Sequence, residues 1–159
     1  WDSMLHTTTG FLCAATGFAL IDILNRNSKI KFQLSPIYVA VAAFCFSMTV
    51  GVLWEFFEFT CDQVMHTDMQ KDYVVHEINS VSLNPDGLNT PIHVPIESVI
   101  VNGEDWTEEI DGYLDIGLID TMKDLLVNFV GAAVFDTIGW FYLKGRSAVF
   151  LRNFIPVKK

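Results

Sequence analysis

The stretch Ile116–Leu143, IGLIDTMKDLLVNFVGAAVFDTIGWFYL, is apolar and long enough to cross a bilayer, yet it carries Asp120, Asp124 and Asn128 at four-residue spacing. On a helix these three share one face, continued by Gly117 before them and Gly131 after. An ionised side chain turned toward lipid costs about 2.5–3.5 kcal/mol or more. The stripe must therefore face protein, water or a metal.

Two further apolar blocks lie upstream. The first, about residues 4–24, reads MLHTTTGFLCAATGFALIDIL and carries Gly10, Ala14 and Gly17 as small positions for close helix contact. The second, about 36–59, begins at Pro36, which suits a first helical turn, and ends in WEFFEF. Its Trp54 fits a membrane interface. With a mean hydropathy of +0.35 and 51% hydrophobic residues, the 159-residue chain is read as one membrane domain, not a soluble globule. It begins at Trp1 with nothing resembling a cleavable signal peptide, so a preceding part of the protein, with further helices, is expected. Three cysteines without CxxC spacing argue for small buried hydrophobes, not a disulfide framework.

The net charge of −9 is informative through its distribution. Arg26, Lys29 and Lys31 follow the first block, and Lys144, Arg146, Arg152, Lys158 and Lys159 follow the last. Between the second and third blocks, from Asp68 to Asp115, Lys71 stands alone against eleven acids. Three crossings put both basic regions on one side, so the positive-inside rule predicts a cytoplasmic carboxyl end and basic tail (144–159), with an acidic cap (about 61–112) outside. Eight of the ten Lys and Arg residues obey it. No basic surface interleaved with aromatics points to nucleic acid. Within the cap, Asn84-Pro85-Asp86-Gly87 signals a turn, and Asp72–Leu83 and Ile92–Val101 suggest short strands or a β-hairpin.

Counting about 1.5 Å per residue places Glu55 roughly 28 Å above Pro36, near the outer boundary, with Asp124 and His6 at a similar height on their own helices. Asp2 and His6 form an i, i+4 pair, Glu55, Glu58 and Asp62 follow i, i+3, i+7, and Asp115 sits just above Asp120. Like charges this close in a low dielectric need protons, cations or a metal, and Lys123 is the sole base in the layer. The sharper reading is a divalent metal site with ligands His6, Glu55, Glu58 and Asp124. Asp120 would be the orienting acid or base, with Asp2, Asp62, Asp115 and Asn128 in support. Oxygen-rich ligation with one imidazole suits Mg, Mn, Fe or Zn. The plainer reading is a hydrogen-bonded or protonated network at the interface. Asp136, deeper and without an evident basic partner, could relay protons or simply find a polar neighbour. His66, His76 and His93 read as solvated, and no GxSxG, HExxH or P-loop is present.

The run Asp2-Ser-Met-Leu-His6, Trp54-Glu55 with Glu58, Asp68-Met-Gln-Lys-Asp72, Gly112-Tyr-Leu-Asp115, Asp120-Thr-Met-Lys-Asp124 and Asn128-Phe-Val-Gly131-Ala132 resembles the YjdF-like family of bacterial multi-spanning membrane proteins. A looser likeness is to VanZ-type envelope proteins. The first resemblance implies an integral membrane protein, commonly with extra amino-terminal helices, and supplies no reaction. The expectation is an all-α membrane protein with three transmembrane helices, located in the cytoplasmic membrane among membrane lipids. It would act on a lipid-linked or amphiphilic envelope substrate. The alternatives are a proton-coupled transporter, weakened by the apolar VGAAVF before Asp136, and a structural or regulatory subunit whose acids pair with partner membrane helices.

Overall fold

The computed structural model describes residues 1–25 and 34–144. The basic turn (Arg26, Lys29, Lys31) and most of the basic tail (Arg146, Arg152, Lys158, Lys159) lie outside the described residues. The body is built from α1 (Asp2–Asn25), α2 (Pro36–Met65) and α4 (Leu118–Leu143), while a one-turn α3 (Thr107–Ile110) belongs to the cap. At 24, 30 and 26 residues the three long helices can each cross a membrane, for which about 20 suffice.

Local chemistry sets the helix ends. Ser35 caps α2, its hydroxyl accepting from the Tyr38 amide at 3.4 Å, with Pro36 in the first turn. The helix runs past the expected Phe59 to Met65, because nothing in Thr60–Met65 breaks it and a helix leaving the bilayer satisfies its own backbone. It stops at His66 in the left-handed region. Gly117 precedes α4 at φ 77, where an added Cβ would also meet the Gln70 Cβ at 2.6 Å.

His6 lies beside Asp124, Gly10 beside Asn128 and Phe18 beside Gly139, so α1 and α4 run parallel. Ser47 Oγ donates to the Gly10 carbonyl at 2.8 Å and Glu55 faces His6, so α2 runs antiparallel to both. At Gly10 and Gly131 the backbones of α1 and α4 approach so closely that a Cβ would strike the Asn128 and Thr7 carbonyls. The core is small and tightly set: Ala14, Ala15, Phe18, Val39, Ala43, Ala132 and Phe135. Phe135 meets Phe11 edge-on at 5.0 Å and Phe18 at 5.8 Å. Large apolar side chains such as Leu12, Leu20, Phe56, Leu126 and Val134 point outward, while Asp22, Glu55, Asp120, Asp124 and Asp136 are buried. That inversion suits a body surrounded by hydrocarbon. Cys61 is buried, whereas Cys45, expected inside, faces outward, where lipid accepts a thiol as readily as a core does.

The cap contains three two-stranded antiparallel pairs. β1 (Val74–Val75) pairs with β6 (Tyr113–Leu114), β2 (Glu77–Ser80) with β3 (Ile92–Pro95), and β4 (Ile100–Val101) with β5 (Glu104–Asp105). The expected strand Ile92–Val101 breaks after Pro95, which cannot donate to a ladder. The expected strand Asp72–Leu83 divides into β1 and β2 and ends in a 3₁₀ turn at Val81–Leu83. Asn102 and Gly103, at φ 54 and 88, close the β4–β5 hairpin as a tight turn with both central residues left-handed. The β1–β6 pair draws together the two chains that join the cap to α2 and α4.

Candidate functional site

His6 stands at the centre of the polar layer, its side chain 11% exposed. Nδ1 faces Glu55 Oε1 at 3.8 Å from α2, while Nε2 faces Asp124 Oδ2 at 3.5 Å from α4 and Asp2 Oδ1 at 3.7 Å one turn back. The three spans thus meet where counting along the helices placed them. Two donors about 2.1 Å from a shared cation and roughly at right angles stand about 3.0 Å apart. The pairs around His6, at 3.5–3.8 Å, are about 0.5 to 0.8 Å wider.

The imidazole divides the acids into two triads whose ligand atoms lie within 4.8 Å of one another: Asp2, His6, Asp124, and His6, Glu55, Glu58. One ring nitrogen binds one ion, so the four expected ligands do not form a single shell around one atom of His6. Glu55 is 4% exposed, and neither of its oxygens has a hydrogen-bond partner among the described residues. Gln70 Nε2 and Thr121 Oγ1, bonded to each other at 2.6 Å, lie beside it without completing a hydrogen bond to it. Glu58 is also buried and accepts from Trp54 Nε1 at 2.8 Å, which fixes one oxygen and leaves the other.

Asp120 lies one turn from Asp124 and is buried, but Oδ2 accepts from the Lys71 amide at 2.9 Å, and it joins neither triad. The cap therefore reaches into this layer through its backbone. Asn128 is held between α1 and α2, beside Gly10 and Gly51, with Nδ2 on Met48 Sδ at 3.4 Å. It supports the packing one turn below the acids.

Asp62 and Asp115 stay outside the site. Asp62 accepts from the Thr67 hydroxyl and the Met69 and Gln70 amides at 2.7–2.8 Å, tying down the loop after α2. Asp115 accepts from the Tyr73 amide at 2.8 Å, Ile119 at 2.7 Å and Gly117 at 3.3 Å. Partial burial pushes its carboxyl up, but the amides of Tyr73, Ile119 and Gly117 outweigh this and hold it below the ordinary carboxylate value. The signal was legible in Asp115-Ile-Gly117 at a helix start, where a carboxylate caps free amides.

The bases near the layer point elsewhere. Lys123 Nζ lies 3.6 Å over the Tyr73 ring. Lys71 pairs with Asp68, 3.6 Å from its carboxylate, and also donates to the Asp68 carbonyl. The cap histidines are exposed and locally engaged: His76 Nδ1 donates to the Asp111 carbonyl at 2.7 Å, and His93 lies 2.9 Å from Asn79 Oδ1. Deeper in the bundle Asp136 is buried, and its oxygens have no hydrogen-bond partner among the described residues.

A cavity of ≈ 480 Å³ opens between α1 and α2 beside the layer, walled by Leu5, Val50, Leu53 and Trp54 and bounded by Asp2, His6, Glu58 and Asn128. A larger, shallower one of ≈ 590 Å³ lies in the cap between Ile78, Val94 and Tyr113, away from both triads.

A family model described as "Predicted membrane protein (DUF2238)" matches residues 1–145, and the chain belongs to that family. No curated protein and no solved structure matches the chain.

Proposed function

We propose that the polar layer is a divalent-cation centre in a protein of the cytoplasmic membrane, with the acidic cap outside and the carboxyl end inside, acting on a lipid-linked or amphiphilic envelope substrate. The orientation rests on the charge bias of the segments flanking the helices. The likeness to YjdF-like proteins fits this membrane placement loosely and adds no chemistry. The observation that carries the reading is Glu55: a buried carboxyl with both oxygens unpartnered, 3.8 Å from His6, in a layer whose neighbouring lysines are turned away. A buried polar group without a partner costs about 1–3 kcal/mol, and more when charged, so an occupant is expected.

Glu55, Glu58 and His6 Nδ1 would hold the cation. Asp124, expected as a ligand, faces the other ring nitrogen, where it would fix the tautomer and raise the imidazole's basicity. Asp2 would join it on that side. A bound Mg, Mn, Fe or Zn ion would supply Lewis-acid polarisation of a headgroup oxygen or an activated water. Asp120, held by the Lys71 amide, would orient the attacking group or take its proton.

Elemental analysis of the purified chain in lipid nanodiscs tests this. Stoichiometric divalent metal in the wild type, lost in Glu55→Gln and bound about 10–100-fold more weakly in Asp124→Asn, is the expected result. A wild-type protein free of metal after incubation with each candidate ion refutes it. A second reading, a proton-coupled transporter, draws on buried Asp136. Among the described residues, Ala132 and Phe135 are packed in the core between it and Asn128 and offer no polar step on α4 linking the two levels.

A further inference from the structure

The cavity between α1 and α2 has a shape and lining that the cation site alone does not require. Its walls, Leu5, Val50, Leu53 and Trp54, are apolar, and Leu5, Leu53 and Trp54 are about half exposed at 48%, 59% and 48%. Its polar boundary on the cap side is made by Asp2, His6 and Glu58. Its ≈ 480 Å³ falls within the range of about 300–1,000 Å³ common for small-molecule sites. From Val50 to Glu58 the groove follows eight residues of α2, about 12 Å at 1.5 Å per residue, against about 15 Å for half a hydrocarbon core. Trp54 serves both ends: its ring forms part of the wall while Nε1 holds Glu58 at 2.8 Å.

We infer that this groove receives the hydrocarbon chain of a phosphate-bearing membrane lipid, entering sideways from the cap-side leaflet and setting its phosphate against the His6–Glu58 end. This rests on the cation reading, because an acidic boundary accepts an anionic headgroup only through an intervening cation. A soluble substrate gains nothing from a mouth walled by exposed leucine and tryptophan, whereas a lipid already in the leaflet reaches it without leaving hydrocarbon. A neutral lipid would fill the apolar walls but leave the polar end unmatched. The apolar walls thus select the chain and the polar end selects the headgroup.

The test uses the full chain in nanodiscs of digalactosyldiacylglycerol, a host lipid without phosphate, doped with phosphatidylglycerol carrying a diazirine on its acyl chain. Labelled residues are mapped by peptide mass spectrometry, and metal content is read on the same samples. Labelling concentrated on Leu5, Val50 and Leu53 is expected, severalfold above Leu126 and Val134 on the outward face of α4. Unlabelled phosphatidylglycerol should compete and diacylglycerol should not. Leu53→Trp, which fills the groove away from the acids, should lower the labelling severalfold at unchanged metal stoichiometry. Uniform labelling of all outward leucines and valines, or equal competition by diacylglycerol, overturns the lipid site even if metal is present. A groove covered by another helix would remain unlabelled and also overturn it. Uniform labelling in a metal-free protein removes both this inference and the cation reading.

Discussion

Exchanging Glu55 for Gln separates a cation centre from a self-contained acidic network, because the two predict opposite dependence on metal. The variant keeps the side chain's volume and removes one charge from a site 4% exposed. In the metal-free protein Glu55 lies in a group whose ligand atoms fall within 4.8 Å of one another. At an effective dielectric of about 20, two unit charges at that outermost distance repel by roughly 3.5 kcal/mol, the scale of what the exchange relieves. After chelation Glu55→Gln should therefore melt higher than the wild type. The shift should be several degrees, since a chain of this size gains roughly 2–4 °C per kcal/mol. With metal present the order should reverse. A cation at 1,000 times its dissociation constant stabilises the wild type by about 4.1 kcal/mol, more than the repulsion it must outweigh, and the variant loses that contribution. Thermal unfolding of both proteins in nanodiscs at pH 8, with chelator and with each divalent ion, provides the measurement. Identical metal responses in the two proteins, or a variant less stable under both conditions, would show that Glu55 is satisfied by its protein neighbours and that no cation belongs there.

Other residues yield narrower expectations. Asp115→Ala removes the acceptor for three amides and should cost about 1 kcal/mol of stability, as loss of a helix cap does, read by thermal unfolding. Because the folded Asp115 carboxyl is held below its ordinary value, its contribution is fully present above about pH 4 and lost as pH falls through the depressed value. Asp115→Asn should thus flatten the acid limb of the stability profile; an unchanged acid limb would contradict the assignment. Gly131→Val drives a side chain toward the Thr7 carbonyl and the Phe11 amide and should destabilise the bundle by roughly 1–3 kcal/mol, with loss of metal as His6 and Asp124 separate. Trp54→Phe keeps the ring wall but frees Glu58, removing a bond worth about 0.5–1.5 kcal/mol. Metal affinity measured by titration should fall by roughly 2–12-fold, and no change would detach Glu58 from the site.

The polar layer was legible because helices have a fixed rise and a fixed angular step. Four-residue spacing placed Asp120, Asp124 and Asn128 on one buried face, and depth counted along each span brought His6, Glu55 and Asp124 to one height. Side-chain direction near helix ends follows no such period. Asp62 shares the spacing of Glu55 and Glu58, yet it sits where α2 is ending, and the free amides of the next loop capture it. Asp115 is taken in the same way by the first turn of α4. The cap was half legible. The Asn102-Gly103 pair at the β4–β5 turn is a strong hairpin signal. The expected run Ile92–Val101 passed through Pro95 and obscured that turn. Pairing of β1 with β6 joins residues about forty positions apart, a distance over which alternation of side chains carries no information.

The division of labour around the layer follows from charge. On the bundle side, Asp2, Glu55, Glu58 and Asp124 surround the His6 imidazole with Asp120 one turn from Asp124, and with all five ionised even a protonated His6 would leave the group negative. The cap contributes backbone to the layer and no balancing lysine: Lys71 offers its amide to Asp120 while its ammonium turns to Asp68, and Lys123 rests on Tyr73. Turning both lysines inward would offset part of this charge, since both already lie within a turn or two of the layer. With both lysines outside, Asp2 and Glu58 border the cavity between α1 and α2 with no lysine among its lining residues. A mobile cation is the simplest counter-charge for such a field, and it is also what would let an anionic headgroup approach a site built from carboxylates. The lysines are therefore diagnostic. Lys71→Ala and Lys123→Ala should leave metal affinity within about twofold, because exposed charges turned into solvent contribute little. A tenfold change in either variant would mean that the ammonium groups do enter the layer, and that the acids are balanced from within the chain.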